Sequence, residues 1–216
     1  MNKILVLGLL LIPVLVGCRS NKKEDKLPIL GRHDYVENTV NGKTVIDTIY
    51  HIIPDFEFIN QDNIIVTHAT FENAIYVADF FFTSCPTICP IMKTQMLRVN
   101  EAIQAYDDVK ILSHTIDPEY DTVTLLKDYS ERLGVKGNKW HFVTGNKEDI
   151  YEIGQRSYMV TAGEDGNAPG GYIHSGAFIL IDKDKRVRGM YDGTKPEKVD
   201  LLIRDIATLR REYSGG

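Results

Sequence analysis

Residues 75 to 90 read IYVADFFFTSCPTICP and join three patterns that bear on both fold and chemistry. The first eight residues are almost continuously apolar, as in a β-strand that is covered on both faces of a sheet. Two thiols, Cys85 and Cys89, then stand four positions apart, and Pro90 suits the first turn of a helix. A thiol pair that meets in space either forms a reversible disulfide or holds a soft metal such as Cu(I) or Zn.

Strand and helix patterns alternate after this stretch. Strands are predicted at 109–116, 140–143 and 177–181, with 186–191 as the hairpin partner of the last. Helices are predicted after Pro90, at 122–133, at 147–157 and from the capping-box spacing of Thr194 to Glu197. In the first helix the apolar residues keep the helical period, so its methionines are interpreted as core residues: Met92, Met96, Val99, Ile103 and Tyr106.

This order predicts an α/β fold in which a central mixed sheet is flanked by helices. The thiols lie between the first core strand and the helix that follows it, at the carboxyl end of the sheet where ligands usually bind. That is a thioredoxin-like layout. Before it, Asn41-Gly42 separates two alternating runs and predicts an added N-terminal β-hairpin, a surface element that could redirect docking of a partner.

The first residues predict export. Residues 1–17 form a signal peptide whose apolar run is shorter than the roughly 20 residues of a membrane-spanning helix. The segment that ends at Cys18 resembles the lipobox of bacterial lipoproteins, so Cys18 is predicted to carry a lipid anchor; the alternative is a plain secretory leader with an incidental cysteine. Residues 18–26 are a flexible tether, and residues 27–216 form one thioredoxin-like domain with its core at about 53–212.

These features predict a protein of the cell envelope, lipid-anchored to a membrane on its extracytoplasmic, periplasmic side. Disulfides persist in such a compartment, and with Cys18 acylated no third thiol would compete for Cys85 and Cys89. The net charge of -5 and the dispersed basic residues argue against a nucleic-acid partner.

Two differences from thioredoxin-type enzymes argue against a general role in thiol-disulfide exchange. Thioredoxin-type enzymes have two residues between their cysteines, and this chain has three. Such enzymes also have a proline at the strand that faces the cysteines, where residues 173–176 read IHSG here. A helix start lowers thiol pKa and so favours the thiolate that binds metal, and a histidine nitrogen would complete a Cu(I) site.

His174 is the predicted third ligand, because it follows a Gly-rich loop and is expected to begin the core strand that abuts the cysteine turn. His114 and His141 lie within apolar runs and are interpreted as satisfied core residues. The N-terminal part contains the remaining histidines, which have no evident link to the thiols: His33, His51 and His68.

The chain resembles the Sco (SenC) family of thioredoxin-fold copper chaperones. Four segments carry the resemblance: VADFFFTSCPTICP at 77–90, DPEYD at 117–121, the strand start His174-Ser175, and IPDF at 53–56. It implies that Cys85, Cys89 and His174 bind copper as Cu(I), with Cu(II) as a further form to test. It also implies a role in assembling the binuclear copper centre of a cytochrome c oxidase, with the copper-bearing oxidase subunit and other copper chaperones as partners.

Asp117 and Asp121 match an Asp-Pro-x-x-Asp loop of that family. Aspartate is a hard ligand and suits Cu(I) poorly, so Asp117 is predicted to act electrostatically or by orienting a ligand. Asp121 can instead cap the helix that begins at Thr122.

Other functions remain open from the sequence. The main alternative is a membrane-tethered thiol-disulfide reductase in which Cys85 or Cys89 attacks and the other resolves the mixed disulfide. A structural staple is a weaker explanation, because so short a loop constrains the unfolded chain little. A peroxidase of the peroxiredoxin kind would need a Pro-x-x-x-Thr/Ser-x-x-Cys motif before its cysteine, and the segment around Thr83 and Cys85 does not match it.

Overall fold

A seven-stranded mixed sheet runs through the centre of the computed structural model, which describes residues 26–214. The strands are β1 Asp34–Val40, β2 Lys43–Ile49, β3 Glu57–Asn60, β4 Ile65–Thr67, β5 Ile75–Phe81, β6 Val109–Thr115, β7 Trp140–Thr144, β8 Ala162–Glu164, β9 Tyr172–His174, β10 Ala177–Ile181 and β11 Val187–Asp192. The helices are α1 Cys89–Ala102, α2 Val123–Arg132, α3 Lys147–Glu152 and α4 Pro196–Tyr213, with a 3-10 turn at His68–Phe71 and a π turn at Ile153–Ser157.

The sheet order is β11-β10-β5-β6-β7-β3-β4, with β5, β6 and β7 parallel and the other pairs antiparallel. Every residue of β5 is buried, because this strand has neighbours on both edges and elements on both faces. The predicted thioredoxin-like fold with a central mixed sheet is confirmed. The cysteine turn follows β5 at the carboxyl end of the parallel strands, as the sequence predicts.

The helices pack where the apolar patterns predict. Helices α1 and α4 contact each other, α4 packs on β11, and α2 packs on β7 and β3. Met92 and Met96 are 2% and 1% exposed, which confirms them as core residues. All members of the hydrophobic core and its partly buried neighbours lie between Leu27 and Tyr213, so this stretch supplies the packing of the described fold.

Helix α4 begins differently from the prediction. Its N-cap is Lys195, without a side-chain capping bond, and Thr194 does not form the expected capping box. The Thr194 hydroxyl instead donates to Asp192 Oδ1 at 2.5 Å. The carboxylate two residues upstream is a stronger acceptor, so it takes the hydroxyl that the capping box would have used.

The predicted N-terminal hairpin forms as a separate two-stranded sheet. Strands β1 and β2 pair in register from Asp34–Ile49 to Val40–Lys43. Asn41 and Gly42 both have positive φ, 54° and 75°, as a two-residue hairpin turn of type I′ requires. None of the hairpin residues is fully buried.

The start of the described chain is fixed to the C-terminal helix. Arg188 is buried, forms ion pairs with Asp182 and Glu212, and donates to the backbone carbonyls of Leu27 and Pro28. The predicted signal peptide and Cys18 lie outside the described residues. Within residues 26–214, the helices are too short or too polar to span a bilayer.

Candidate metal centre

Two sulfurs and one imidazole nitrogen meet at the carboxyl end of β5. His174 Nε2 lies 3.2 Å from Cys89 Sγ and 4.0 Å from Cys85 Sγ. The three potential ligand atoms all lie within 4.8 Å of one another. Since a metal–thiolate bond is about 2.3 Å long in comparable sites, one ion can contact all three atoms.

The local sequence positions both thiols. After β5 the chain turns, and the Cys85 amide donates to the Phe82 carbonyl at 3.3 Å. Cys89 is the first residue of α1, directly before Pro90, whose fixed φ suits a first turn. Both thiols are buried and both are free. The three-residue spacing therefore places both sulfurs beside the same helix start.

His174 lies on a different strand from the one that the sequence predicts. It is the last residue of β9, which pairs with β8 in a small hairpin, rather than the first residue of the core strand; β10 begins only at Ala177. These strands are three residues long and bracket a Gly-rich loop, so they have too little alternation to be recognised. The hairpin, and not the core sheet, carries the imidazole to the sulfurs.

The second ring nitrogen of His174 orients the imidazole. Nδ1 lies 3.2 Å from the Ser175 carbonyl and donates to it, which leaves the Nε2 lone pair directed to the sulfurs. Burial lowers the pKa of His174, against the smaller opposing effect of nearby carbonyls. The ring is therefore neutral near pH 7, the form that binds a metal ion.

The two thiols differ in acidity. Burial raises the pKa of Cys85, but hydrogen bonds from Cys89, from Thr87 and from backbone amides outweigh this effect and lower it overall. Burial, followed by the interaction with Cys85, raises the pKa of Cys89 strongly. Cys85 therefore ionises before Cys89, whose thiol stabilises the Cys85 thiolate.

The Gly-rich loop closes one side of the site. Gly170 has a φ of +84°, and a Cβ atom there would lie 3.1 Å from the Phe82 ring and 3.2 Å from Pro86. Tyr172 packs on the same Phe82 ring, which meets His174 edge to face at 5.8 Å between centroids. Apolar contacts therefore shield the ligands, while Thr87, between the cysteines, is exposed.

Asp117 lies outside the group of three ligands, and its orienting role stays a prediction. The Tyr172 hydroxyl, in the strand that ends at His174, interacts electrostatically with the Asp117 carboxylate. Burial, followed by this interaction, raises the pKa of Tyr172. The Asp117 amide donates to Thr115 Oγ1 at 3.1 Å.

Asp121 does not cap α2, contrary to the prediction; Thr122 does so by accepting from the Leu125 amide. The Asp121 carboxylate instead accepts from the Thr83 amide at 3.1 Å, from the Thr83 hydroxyl, and from the Thr115 hydroxyl at 2.5 Å. Burial raises the pKa of Asp121, partly offset by these bonds. The carboxylate fastens the segment before the thiols to the end of β6.

The other histidines stay away from the sulfurs, as the sequence predicts. His51 and His68 make hydrogen-bond contacts with backbone carbonyls, His141 contacts Asn60, and His33 packs on Tyr50. His114 is buried, but the expectation of a satisfied imidazole is wrong. Among the described residues neither of its nitrogens has a hydrogen-bond partner, and the same expectation holds only in part for His141, whose Nε2 also lacks one.

His114 is held by aromatic rings instead. Its ring stacks on Phe80 at 4.9 Å and meets Phe58 edge to face at 5.2 Å. Burial lowers the pKa of His114 to about 3, so the ring is neutral. This imidazole packs as an aromatic residue.

One buried carboxylate near the site was missed by sequence reasoning. Asp79 shares the lining of a small cavity with Cys89, accepts a hydrogen bond from Ser113, and has its pKa raised to about 7 by burial. Trp140 in turn donates to Ser113 at 2.9 Å. The available signal was a single carboxylate within the otherwise apolar run of β5.

Comparison with known proteins gives a consistent result. The family model described as SCO1/SenC matches residues 47–210. A solved SCO1/SenC family lipoprotein from Bacillus anthracis is 28% identical, with a TM-score of 0.68 over 74% of this chain and 95% of that chain.

Two further structures are similar over 74% of this chain. BsSco, described as a member of the Sco family of cytochrome c oxidase assembly proteins, is 29% identical, with a TM-score of 0.65 over 93% of its own length. ScoI of Arabidopsis thaliana, solved with copper bound, is 26% identical, with a TM-score of 0.61 over 99% of its own length.

Proposed function

Because the chain belongs to the SCO1/SenC family, we propose that it binds copper through Cys85, Cys89 and His174 and delivers it during assembly of a cytochrome c oxidase. The observation that carries this proposal is the meeting of two sulfurs and one imidazole nitrogen within 4.8 Å. The copper-bound relative and the assembly protein among the similar structures support the same function.

Cu(I) suits this ligand set. Thiolates are soft ligands and select Cu(I) over the hard cations that carboxylates hold, while imidazole also suits copper. The ligand group contains no carboxylate, and Asp117 lies outside it. Two thiolates around a monovalent ion leave one negative charge, and the neutral His174 adds none.

Delivery requires that the ion can leave. The ligands are shielded on one side by Phe82 and the Gly-rich loop, whereas Ser84, Pro86 and Thr87 are exposed around the thiols. An acceptor's thiols can approach from this exposed side and replace the ligands one at a time. We propose the copper-bearing subunit of a cytochrome c oxidase as the acceptor, with other copper chaperones as sources of the ion.

A second function, thiol-disulfide reduction, is favoured by the unequal acidity of the thiols. The Cys85 thiolate would attack a partner disulfide, forming a mixed disulfide and releasing one partner thiolate, which takes up a proton. Cys89 would then lose its proton, attack Cys85 Sγ and release the second partner thiol. The partner gains two electrons, and Cys85 and Cys89 become a disulfide. Copper delivery to partner thiols requires those thiols to be reduced, so both activities could serve one assembly step.

The proposed location is the extracytoplasmic side of a membrane, with a lipid anchor on Cys18. The lipobox-like segment supports it, as does the description of the similar Bacillus anthracis protein as a lipoprotein. Mass spectrometry of the protein isolated from its membranes tests it. The expected first residue is Cys18 carrying a diacylglyceryl group. A Cys18 without lipid, or a chain that still carries residues 1–17, would contradict the proposal.

Copper binding is tested by anaerobic Cu(I) titration of reduced residues 26–214 against a competing chelator. One ion per chain is expected, and His174→Ala should weaken binding by at least ~10-fold, since loss of even an outer-shell partner costs that much. The control is His51→Ala, whose ring contacts the Ser157 carbonyl away from the sulfurs. Equal affinities for His174→Ala and His51→Ala would refute the proposed ligand set.

A disulfide-reduction assay separates the two functions. With a reduced chain and an oxidised dithiol peptide, His174→Ala should retain reduction, because the imidazole contributes no electrons. Cys85→Ser and Cys89→Ser should each lose both copper binding and turnover. If His174→Ala loses reduction and copper binding together, the two functions share one requirement and the separate reductase mechanism is wrong.

A further inference from the structure

The β1–β2 hairpin exposes apolar side chains on both of its faces. Six of them are more than 40% exposed: Tyr35, Val36, Val40, Val45, Ile46 and Ile49. A two-stranded ribbon alone is marginally stable in water, and its two edges offer unpaired backbone groups to another strand. The SCO1/SenC family model begins only at residue 47, so β1 and most of β2 precede the part that carries the proposed copper function.

The outer edge of β2 is suited to pairing with itself. A two-residue turn makes Val40 and Lys43 a hydrogen-bonded pair, so by alternation Thr44, Ile46 and Thr48 direct their backbone groups away from β1. Within residues 26–214, this edge has no partner strand. A second β2 strand, antiparallel and related by a twofold axis at Ile46, would pair Ile46 with its copy and each Thr44 with the other copy's Thr48.

The charges on β2 fit that arrangement. Lys43 and Asp47 are four residues apart along β2, so their side chains point to the same face of the ribbon. Around the twofold axis, each Lys43 becomes the diagonal neighbour of the other copy's Asp47, within reach of a long side chain. Asp47 is held by Asn38, which donates to it at 2.6 Å, and Lys43 has no ion-pair partner within residues 26–214.

The other edge of the ribbon is unsuited to the same pairing. The outward-directed residues of β1 are Tyr35, Glu37 and Thr39, by the same alternation. If two copies of β1 paired antiparallel over all seven residues, the twofold axis would pass at Glu37 and place it opposite its own copy. Like charges directly opposite each other are destabilising. The charge pattern therefore distinguishes the two edges.

The hairpin leaves the domain at the end of the sheet remote from the thiols. Arg186, in the turn between β10 and β11, lies over the Tyr50 ring at 5.0 Å, just after β2. Strand β10 ends beside Tyr76 at the start of β5, whereas the cysteine turn follows the end of β5. A partner on β2 would therefore leave the candidate metal centre accessible.

We propose that a second copy of this chain pairs with β2 edge to edge, forming a twofold-symmetric dimer with a continuous four-stranded ribbon β1-β2-β2-β1. Twofold self-association is the commonest symmetry of soluble oligomers, and an edge that is complementary to itself needs no other partner. The dimer holds two metal centres at opposite outer ends, each free to meet its own acceptor.

Sedimentation equilibrium of residues 26–214 tests the dimer, with a reductant present so that intermolecular disulfides do not form. The mass is expected to approach that of two chains as concentration rises. Ile46→Lys should abolish the rise, because it places two ammonium groups together at the twofold axis. Glu37→Lys, on the opposite edge of the same ribbon, is the matched control and should leave it unchanged. A single-chain mass up to ~1 mM, the weak end of specific association, would overturn the proposal.

A charge exchange tests the register. Lys43→Asp and Asp47→Lys should each weaken the dimer by about 10-fold, since each creates like-charged neighbours. The double variant restores opposite charges across the twofold axis and should return the dissociation constant to within a few-fold of the wild-type value. If the double variant is as weak as the single ones, with the hairpin still present by circular dichroism, the register is wrong. Copper titration of the same variants should be unchanged, so this proposal can fail while the copper site stands.

Discussion

The Cys89 sulfur lies 3.2 Å from His174 Nε2, although 85 positions separate the two residues. This contact depends on the β8–β9 hairpin, which reaches the sulfurs from outside the main sheet. Side-chain contacts hold the hairpin: Gln155 donates to the Ala162 carbonyl at 2.7 Å, Lys147 forms an ion pair with Glu164, and Tyr172 packs on Phe82. The ligand geometry therefore rests on side chains that do not touch the metal position.

Tyr172→Phe should weaken Cu(I) binding without unfolding the protein. The variant keeps the ring on Phe82 but loses the hydroxyl that interacts with the Asp117 carboxylate, so the strand that ends at His174 is held less firmly. Loss of such an outer partner typically costs about 10-fold or more in metal affinity. Chelator competition gives the affinity, and thermal melting monitors the fold.

The matched control is Tyr120→Phe, in the same loop region but 58% exposed. It should bind Cu(I) as the wild type does. Equal affinities for the two phenylalanine variants would show that the Asp117 contact does not position His174.

Cys85 should react with iodoacetamide before Cys89. The hydrogen bonds that outweigh burial lower the pKa of Cys85, whereas burial raises that of Cys89, so Cys85 forms its thiolate at lower pH than Cys89 does. Timed alkylation followed by peptide mass spectrometry measures both sites. Thr87→Val removes a hydroxyl that lies 3.7 Å from Cys85 Sγ and should shift the alkylation profile of Cys85 to higher pH. Faster labelling of Cys89 would contradict the assignment.

Local sequence signals predicted the elements whose residues agree with one another. The apolar run before the thiols became the buried strand β5, Pro90 became part of the first turn of α1, and Asn41-Gly42 formed the hairpin turn. In each case the pattern, the turn chemistry and the packing favour the same conformation. The meeting of His174 with both sulfurs was likewise anticipated, although the strand that carries His174 was assigned wrongly.

The remaining differences arise where two acceptors compete or where a partner is distant in sequence. Asp192 takes the Thr194 hydroxyl that a capping box would use, and Asp121 binds Thr83, 38 positions upstream. The β8–β9 strands are too short for a periodic pattern. Only the tertiary structure decides such choices, because the alternatives have similar local energies.

Asp121→Asn should destabilise the fold by ~2–4 kcal/mol, as expected for the loss of buried bonds to a charged acceptor. An amide has one acceptor oxygen for the three donors that now share the carboxylate. Thr122→Ala, which loses only the cap of α2, should cost about 1 kcal/mol. Urea denaturation at pH 7 compares them. A smaller loss for Asp121→Asn than for Thr122→Ala would refute its proposed fastening role.

Asp79→Asn should stabilise the protein above pH 7 and have little effect near pH 4. Burial raises the pKa of Asp79 from its ordinary value of 3.8 to about 7 in the fold. Between these values the unfolded chain releases the proton while the folded chain retains it, so the stability contributed by this group falls as pH rises. The whole penalty is present above pH 7 and amounts to at most ~4 kcal/mol, at about 1.4 kcal/mol per pKa unit.

Asparagine stays neutral at every pH and can still accept the Ser113 hydrogen bond through its carbonyl oxygen. The free energy of unfolding in urea, measured at pH 4, 6 and 8, should therefore diverge from the wild-type value as pH rises. The control is Asp128→Asn, because Asp128 is an exposed residue on α2 that pairs with Arg132; its difference should stay within about 0.5 kcal/mol throughout. A difference between Asp79→Asn and wild type that does not change with pH would mean that Asp79 is already ionised in the fold at pH 4, and that its hydrogen bond with Ser113 compensates for burial.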